Sequence, residues 1–122
     1  MNQHEFESLV SAKDYIEHFT PVLNQYCEAF EAGETIDIGD FVTGLEGFAK
    51  VLEILLITNT HHSIQVDLPT IEEALREITN ALAGGANSLV SDIIKANILT
   101  LLLEWEKEIE LVITTQEPDL LS

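Results

Sequence analysis

Apolar residues recur three or four positions apart along almost the whole chain, and no other feature constrains its fold so tightly. Leu9, Ala12, Ile16, Phe19, Leu23, Tyr26 and Phe30 follow one another at alternating steps of three and four. At about 3.6 residues per turn such a series lies along one side of a helix, whereas a half-buried strand needs steps of two. The period returns in Ile38, Phe41, Leu45, Phe48, Leu52 and Leu55, broadened by Val42, Ala49 and Leu56, and again in Ile71, Leu75, Ile78 and Leu82. A last, longest series holds Ile94, Ile98, Leu101, Leu102, Trp105, Ile109 and Val112.

Turn-forming residues separate these series. Gly33 ends the first, Ala83-Gly84-Gly85 ends the third, and Asp67, Pro69 and the pattern Thr70-x-x-Glu73 announce the third. The spacing predicts helices over about residues 4–32, 37–59, 68–83 and 86–115, with 116–122 a frayed tail. Pro21 falls inside the first series without shifting its phase, which predicts one helix kinked there, with Thr20 as its cap should it break. Gly44 and Gly47 fall inside the second, where each costs about 1 kcal/mol against alanine. The close approach of a neighbouring helix is expected to offset them. Short connections make successive amphipathic helices antiparallel, and 122 residues suffice for one core. The expected fold is all-α, a single four-helix up-down-up-down bundle over residues 1–122.

Charge narrows the partners. Twenty-two acidic residues face only Lys13, Lys50, Arg76, Lys95 and Lys107, a net charge of −17. These cations are spread about one per helix, so no basic patch can be assembled, and nucleic acid and anionic membrane surfaces are excluded as expected partners. Four of the cations have an acid about one turn away, in Glu46 with Lys50, Glu72 with Arg76, Asp92 with Lys95 and Glu104 with Lys107. Such pairs contribute about 0.2–0.5 kcal/mol each and mark outer faces. The lone Cys27 excludes an internal disulfide and sits on the apolar stripe, where it is expected to be a small buried hydrophobe. No charged-then-apolar leader opens the chain, and charged residues interrupt every apolar run before about 20 residues. A soluble, cytoplasmic protein is expected.

Residue patterns that carry chemistry are sparse. Bundles bind metals through inward Glu-x-x-His pairs, but Tyr15, Thr58 and Asn59 stand three before His18, His61 and His62. His61 and His62 with Asp67 offer no fixed third ligand, and Asp14 with His18 reads as a solvated pair. Cys27 has no histidine at a related spacing, no Gly-x-Ser-x-Gly turn occurs, and Gly84-Gly85 lacks the Lys-Ser/Thr of a phosphate loop. No catalytic residue, cofactor or metal is expected, and the chain is not read as an enzyme. Trp105 and Phe48 read as core.

The informative anomaly is apolar surplus. Leu89, Ala96, Leu99 and Leu103 form a second line on the fourth helix, and Val51, Ile54 and Ile57 fall beyond the main stripe of the second. At about 100° per residue one neighbour cannot cover both sides of a helix. Either the fourth helix lies centrally and is surrounded within the chain, or these seven residues are the expected interface, for a homodimer through helices two and four or for an amphipathic helix of another protein.

Two segments carry a resemblance. Gly44-Leu45-Glu46-Gly47-Phe48, and Ser91 to Leu99 leading to Leu101-Leu102-Leu103-Glu104-Trp105, resemble segments of small bacterial helical-bundle proteins. In size and helix order, in the turn Glu31-Ala32-Gly33-Glu34 and in the Leu-rich run ending at Trp105, the chain is also similar to the flagellin-type export chaperones. That resemblance implies an acidic bundle that wraps an unfolded or helical client, and it assigns no particular binding residue.

Overall fold

The computed structural model describes residues 2–115, and the tail expected to fray at 116–122 lies outside them. The described residues form helices joined by short turns, with no strand. Helix α1 is Gln3–Glu31, α2 is Ile38–Ile57, a single 3-10 turn covers Asn59–His61, and α3 is Leu68–Ala83. The fourth helix, α4, runs without a break through an α-helical stretch Asn87–Ile93, a π-helical stretch Ile94–Leu99 and a second α-helical stretch Thr100–Thr115. The expected all-α four-helix bundle is what forms.

Local chemistry sets the ends. Asn2 opens α1 with a reciprocal capping box, its side chain accepting from the Glu5 amide at 2.8 Å while the Glu5 carboxylate accepts from the Asn2 amide at 3.3 Å. The helix continues through Pro21, where the Thr20 hydroxyl donates to the Ile16 carbonyl at 2.8 Å instead of capping a break. At the far end Gly33 takes φ +71°, and the amides of Gly33 and Glu34 return to the carbonyls of Phe30 and Ala29, a Schellman turn. Gly85, also at φ +71°, closes α3 in the same way. Asp67, not Thr70, caps α3: its carboxylate accepts from the Thr70 amide at 3.3 Å and the Thr70 hydroxyl at 2.7 Å.

The helices alternate in direction. Phe41 near the start of α2 meets Phe30 and Tyr26 near the end of α1, and His61 beyond the end of α2 reaches Glu5 near the start of α1. Glu31 in turn meets Ser91 and Lys95 at the start of α4. Helix α1 thus lies against α2 and the whole of α4, while α3 lies along only the first α-helical and the π-helical stretch of α4. The core is one cluster with Leu9, Ile16, Leu23, Phe48, Ile94 and Trp105 at its centre. Trp105 stacks on Phe48 with ring centres 5.7 Å apart and donates its indole N–H to the Gln65 carbonyl at 3.3 Å. Cys27 is buried as expected, its thiol 4.0 Å from the Ser91 carbonyl oxygen and pushed up in pKa by burial.

Gly44 and Gly47 are where α2 comes closest to α1. A Cβ at Gly44 would lie 2.6 Å from the Phe19 ring, and one at Gly47 would fall on the ring of Tyr15. Tyr15 uses the space to donate its hydroxyl to the Gly44 carbonyl and to stack on Phe19 at 5.1 Å, and its burial raises the phenol pKa to about 12. Because the two glycines face α1, they fix the rotation of α2, and this differs from the sequence reading. Val51 turns fully inward with Phe41, Phe48 and Leu55, whereas Leu45 and Leu52 are only half-buried.

The π-helical stretch has a cause visible in the spacing. Val90, Ile94, Ile98 and Leu102 are all buried at successive steps of four. In an α-helix each such step drifts about 40°, so three would carry Leu102 about 120° away from Val90. A wider turn takes up the drift and keeps all four facing inward. The Thr100 hydroxyl accordingly donates to the carbonyl five residues back, at Lys95, at 3.1 Å. The same winding turns Leu99 into the core, only 7% exposed, against the expectation that it stands on an outer line.

Ion pairs keep the one-turn spacing in two cases but choose other partners than expected. Arg76 pairs with Glu73 rather than Glu72, Lys95 reaches across to Glu31 at 2.5 Å, and Lys13 joins Glu17 at 2.5 Å. The Lys95 contact, which also draws the Ser91 hydroxyl to Glu31 at 2.8 Å, holds the Glu31 carboxyl below its usual range.

Candidate functional site

Helix α3 is 16 residues long and covers about half of α4, so a groove opens between them. Its walls follow from side-chain size. On α3, Ala74 and Ala81 stand at the contact with α4. Opposite them Ala86, the residue that precedes α4 as its N-cap, and Ala96 on α4 line the same cavities, and side chains this short leave room unfilled between the walls. Three adjoining cavities run along it. One, of about 210 Å³, lies between Ile71 and Ala74 on α3 and Ala96, Asn97 and Leu101 on α4. The next shares Thr70, Ala74 and Asn97 with it, and the third continues past Glu77 and Ala81 to Leu89 and Ile93. From Thr70 to Ala81 the groove is about 17 Å long at ~1.5 Å per residue.

The π-helical stretch supplies Ala96 and Asn97 to this groove, and Thr100 follows directly on it. Such turns cost helical regularity and recur at functional sites, which singles out this half of α4. Asn97 directs its amide N–H to the Ile93 carbonyl at 3.1 Å, so a polar side chain closes the loosened turn. Every charged side chain lining the three cavities is a carboxylate: Asp67, Glu73 and Glu77, all on the α3 side.

The seven expected interface residues divide. Leu89 is 51% exposed and Ala96 is also exposed, and both line the groove. Leu103, 49% exposed, lies on α4 beyond the groove, and Ile57, 66% exposed, ends α2. Ile54 is half-buried. Val51 and Leu99 are buried within the chain and are not available to a partner, a correction that follows from the rotation of α2 and the π turn of α4. In their place α2 presents a stripe not foreseen as exposed: Ile38, Val42, Ala49 and Leu56 all reach solvent. The two glycines were the missed signal, since they mark the side of α2 that must face α1.

The histidines form no common centre. His61 contacts Glu5, whereas the Nδ1 of His62 accepts from the Ile64 amide at 3.2 Å and its Nε2 faces the Thr58 hydroxyl at 3.0 Å. Burial lowers the pKa of His62, consistent with this neutral, doubly bonded ring. Asp67 is engaged at the α3 cap, and the ring of His18 bonds the Asp14 backbone carbonyl at 2.7 Å rather than its carboxylate. Among the described residues no group of three or more His, Cys, Asp or Glu is placed to hold a metal ion, and no helix is long and apolar enough to cross a membrane.

Fold and groove together define an acidic antiparallel four-helix bundle with an apolar channel along its third helix. Residues 7–108 match the family described as Domain of unknown function (DUF8042), and the chain belongs to that family. The matched span takes in every residue of the groove. No curated protein and no solved structure matches the chain.

Proposed function

We propose that this chain is a non-catalytic, cytoplasmic association module that holds an amphipathic helix of a partner protein between α3 and α4. The observation that carries the reading is the row of cavities beside the π-helical stretch, apolar in its floor and open along its length. A docked helix presents apolar residues every three or four positions, a shape that successive cavities along one groove accommodate. Client binding of this kind is also what the similarity to export chaperones implies.

The test uses Asn97→Cys labelled with an environment-sensitive fluorophore, since Cys27 is buried and will not compete for label. Titration with a synthetic amphipathic helix should shift the emission of this probe and leave a probe at Glu53→Cys on α2 unchanged. A silent probe at 97 throughout the titration would remove the groove from consideration.

A second reading, self-association, is favoured by the exposed stripe of Ile38, Val42 and Leu56 on α2. It predicts a dimer in sedimentation equilibrium that Val42→Glu with Leu56→Glu converts to monomer. A wild-type chain that stays monomeric at about 100 times a typical micromolar dimer constant would eliminate it.

A further inference from the structure

We infer that the helix taken by this groove is basic, presenting lysine or arginine along the edge that lies against α3; the inference rests on the groove reading above. Three observations converge. Asp67, Glu73 and Glu77 line one wall and no lysine or arginine lines the cavities; Arg76 pairs with Glu73 beside them, and three carboxylates against one guanidinium leave the rim with an excess of negative charge. Glu73 and Glu77 are one helical turn apart, which matches cations repeated every three or four residues on a helix docked alongside. Lys13 and Lys95 are held at Glu17 and Glu31, whereas Arg76 stands at the rim in an exposed pair with Glu73, weak as surface pairs are, that a docked cation can replace.

Charge also decides between occupants. A second copy would bring another −17 to an acidic rim, and like charges set opposite one another are repelled. An acidic or phosphorylated segment is excluded on the same ground. A basic helix gains twice: the field of the whole chain draws it in, and its apolar face then displaces water from Ala74, Ala96 and Leu101. The inferred partner is therefore a foreign protein segment of about three helical turns, apolar on one face and cationic on a flank.

Calorimetric titration with three synthetic helices of about five turns tests this. They share one leucine stripe and carry lysine, glutamine or glutamate on the polar face. The lysine helix should bind one to one and about tenfold or more tighter than the glutamine helix, with the glutamate helix weakest. Raising salt should shrink the lysine advantage. Glu73→Gln with Glu77→Gln should lower the lysine affinity toward the glutamine value and leave the latter in place. Ala96→Phe fills the cavity without altering charge and should weaken both helices; Leu89→Gln at the other end of the groove serves the same purpose should Ala96→Phe melt early. Equal binding of the lysine and glutamine helices, lost in both groove variants, overturns the basic-partner inference and leaves the groove. Lysine-helix binding that ignores both groove variants, or no binding by any helix, overturns the inference and the groove reading together.

Discussion

Replacing Gly44 by alanine sets two known effects against each other at one atom. In a solvent-facing helix the change would stabilise by about 1 kcal/mol, because alanine has less backbone freedom to lose on folding. Here the new Cβ would lie 2.6 Å from Cε1 and 3.1 Å from Cζ of Phe19, a ring only 5% exposed. Phe19 cannot retreat without leaving its stack on Tyr15, whose hydroxyl is bonded to the same Gly44 carbonyl. Overpacking of this kind costs about 1–3 kcal/mol, and loss of the aromatic stack adds about 0.5–1.5 kcal/mol. Set against the propensity gain, the net should be a loss of about 0.5–3.5 kcal/mol. With an unfolding entropy of about 2.1 cal/mol/K per residue, that lowers Tm by about 2–14 °C for a chain of this length. Circular dichroism melts read the shift directly, and pairing Gly44→Ala with Phe19→Leu should recover part of the loss by making room. A Tm that rises in Gly44→Ala would refute the close α1–α2 approach on which the rotation of α2 depends.

Leu99→Ala should destabilise the chain by about 2–5 kcal/mol in urea titration, whereas Leu103→Ala should stay within about 0.5 kcal/mol, because the π turn buries the first and leaves the second half exposed. His62 supplies a pH signature. Its folded pKa is lowered from the ordinary 6.5 by burial, so the native state binds fewer protons than the unfolded one; its contribution is fully present above about pH 6.5 and is lost as pH falls through the folded value. Comparing wild type with His62→Asn across pH 7.5 to 5 should show the wild type losing ground as the Ile64 amide loses its acceptor, and parallel curves would refute that role. Val42→Ser and Leu56→Ser, on the exposed stripe of α2, should leave Tm within a few degrees, measured at a concentration where the chain is monomeric.

Element type, order and approximate ends were legible because each helix repeats its apolar residues for several turns and is stopped by glycine or opened by an acid or asparagine. Rotation was harder. In α2 the apolar residues wrap so broadly that two phases fit almost equally, and only the glycines, read as the side touching α1, separate them. The π stretch was written in three consecutive steps of four, Val90 to Leu102, but a fixed 100° per residue converts that run into a false outer line through Leu99. The groove itself depends on where α3 lies along α4, which no local pattern encodes. Leu89 and Ala96 were found because surplus apolar surface is visible in a single helix, whereas the acidic wall of Asp67, Glu73 and Glu77 emerges only once α3 is set beside them.

Amide chemical-shift mapping of the labelled chain, titrated with the lysine-bearing helix, puts the central claim to trial residue by residue. The account predicts perturbations concentrated at Ala74, Glu77, Ala81, Leu89, Ala96 and Asn97, saturating together at one equivalent. Shifts centred on Ile38, Val42 and Leu56, or spread evenly over the acidic surface, would contradict it.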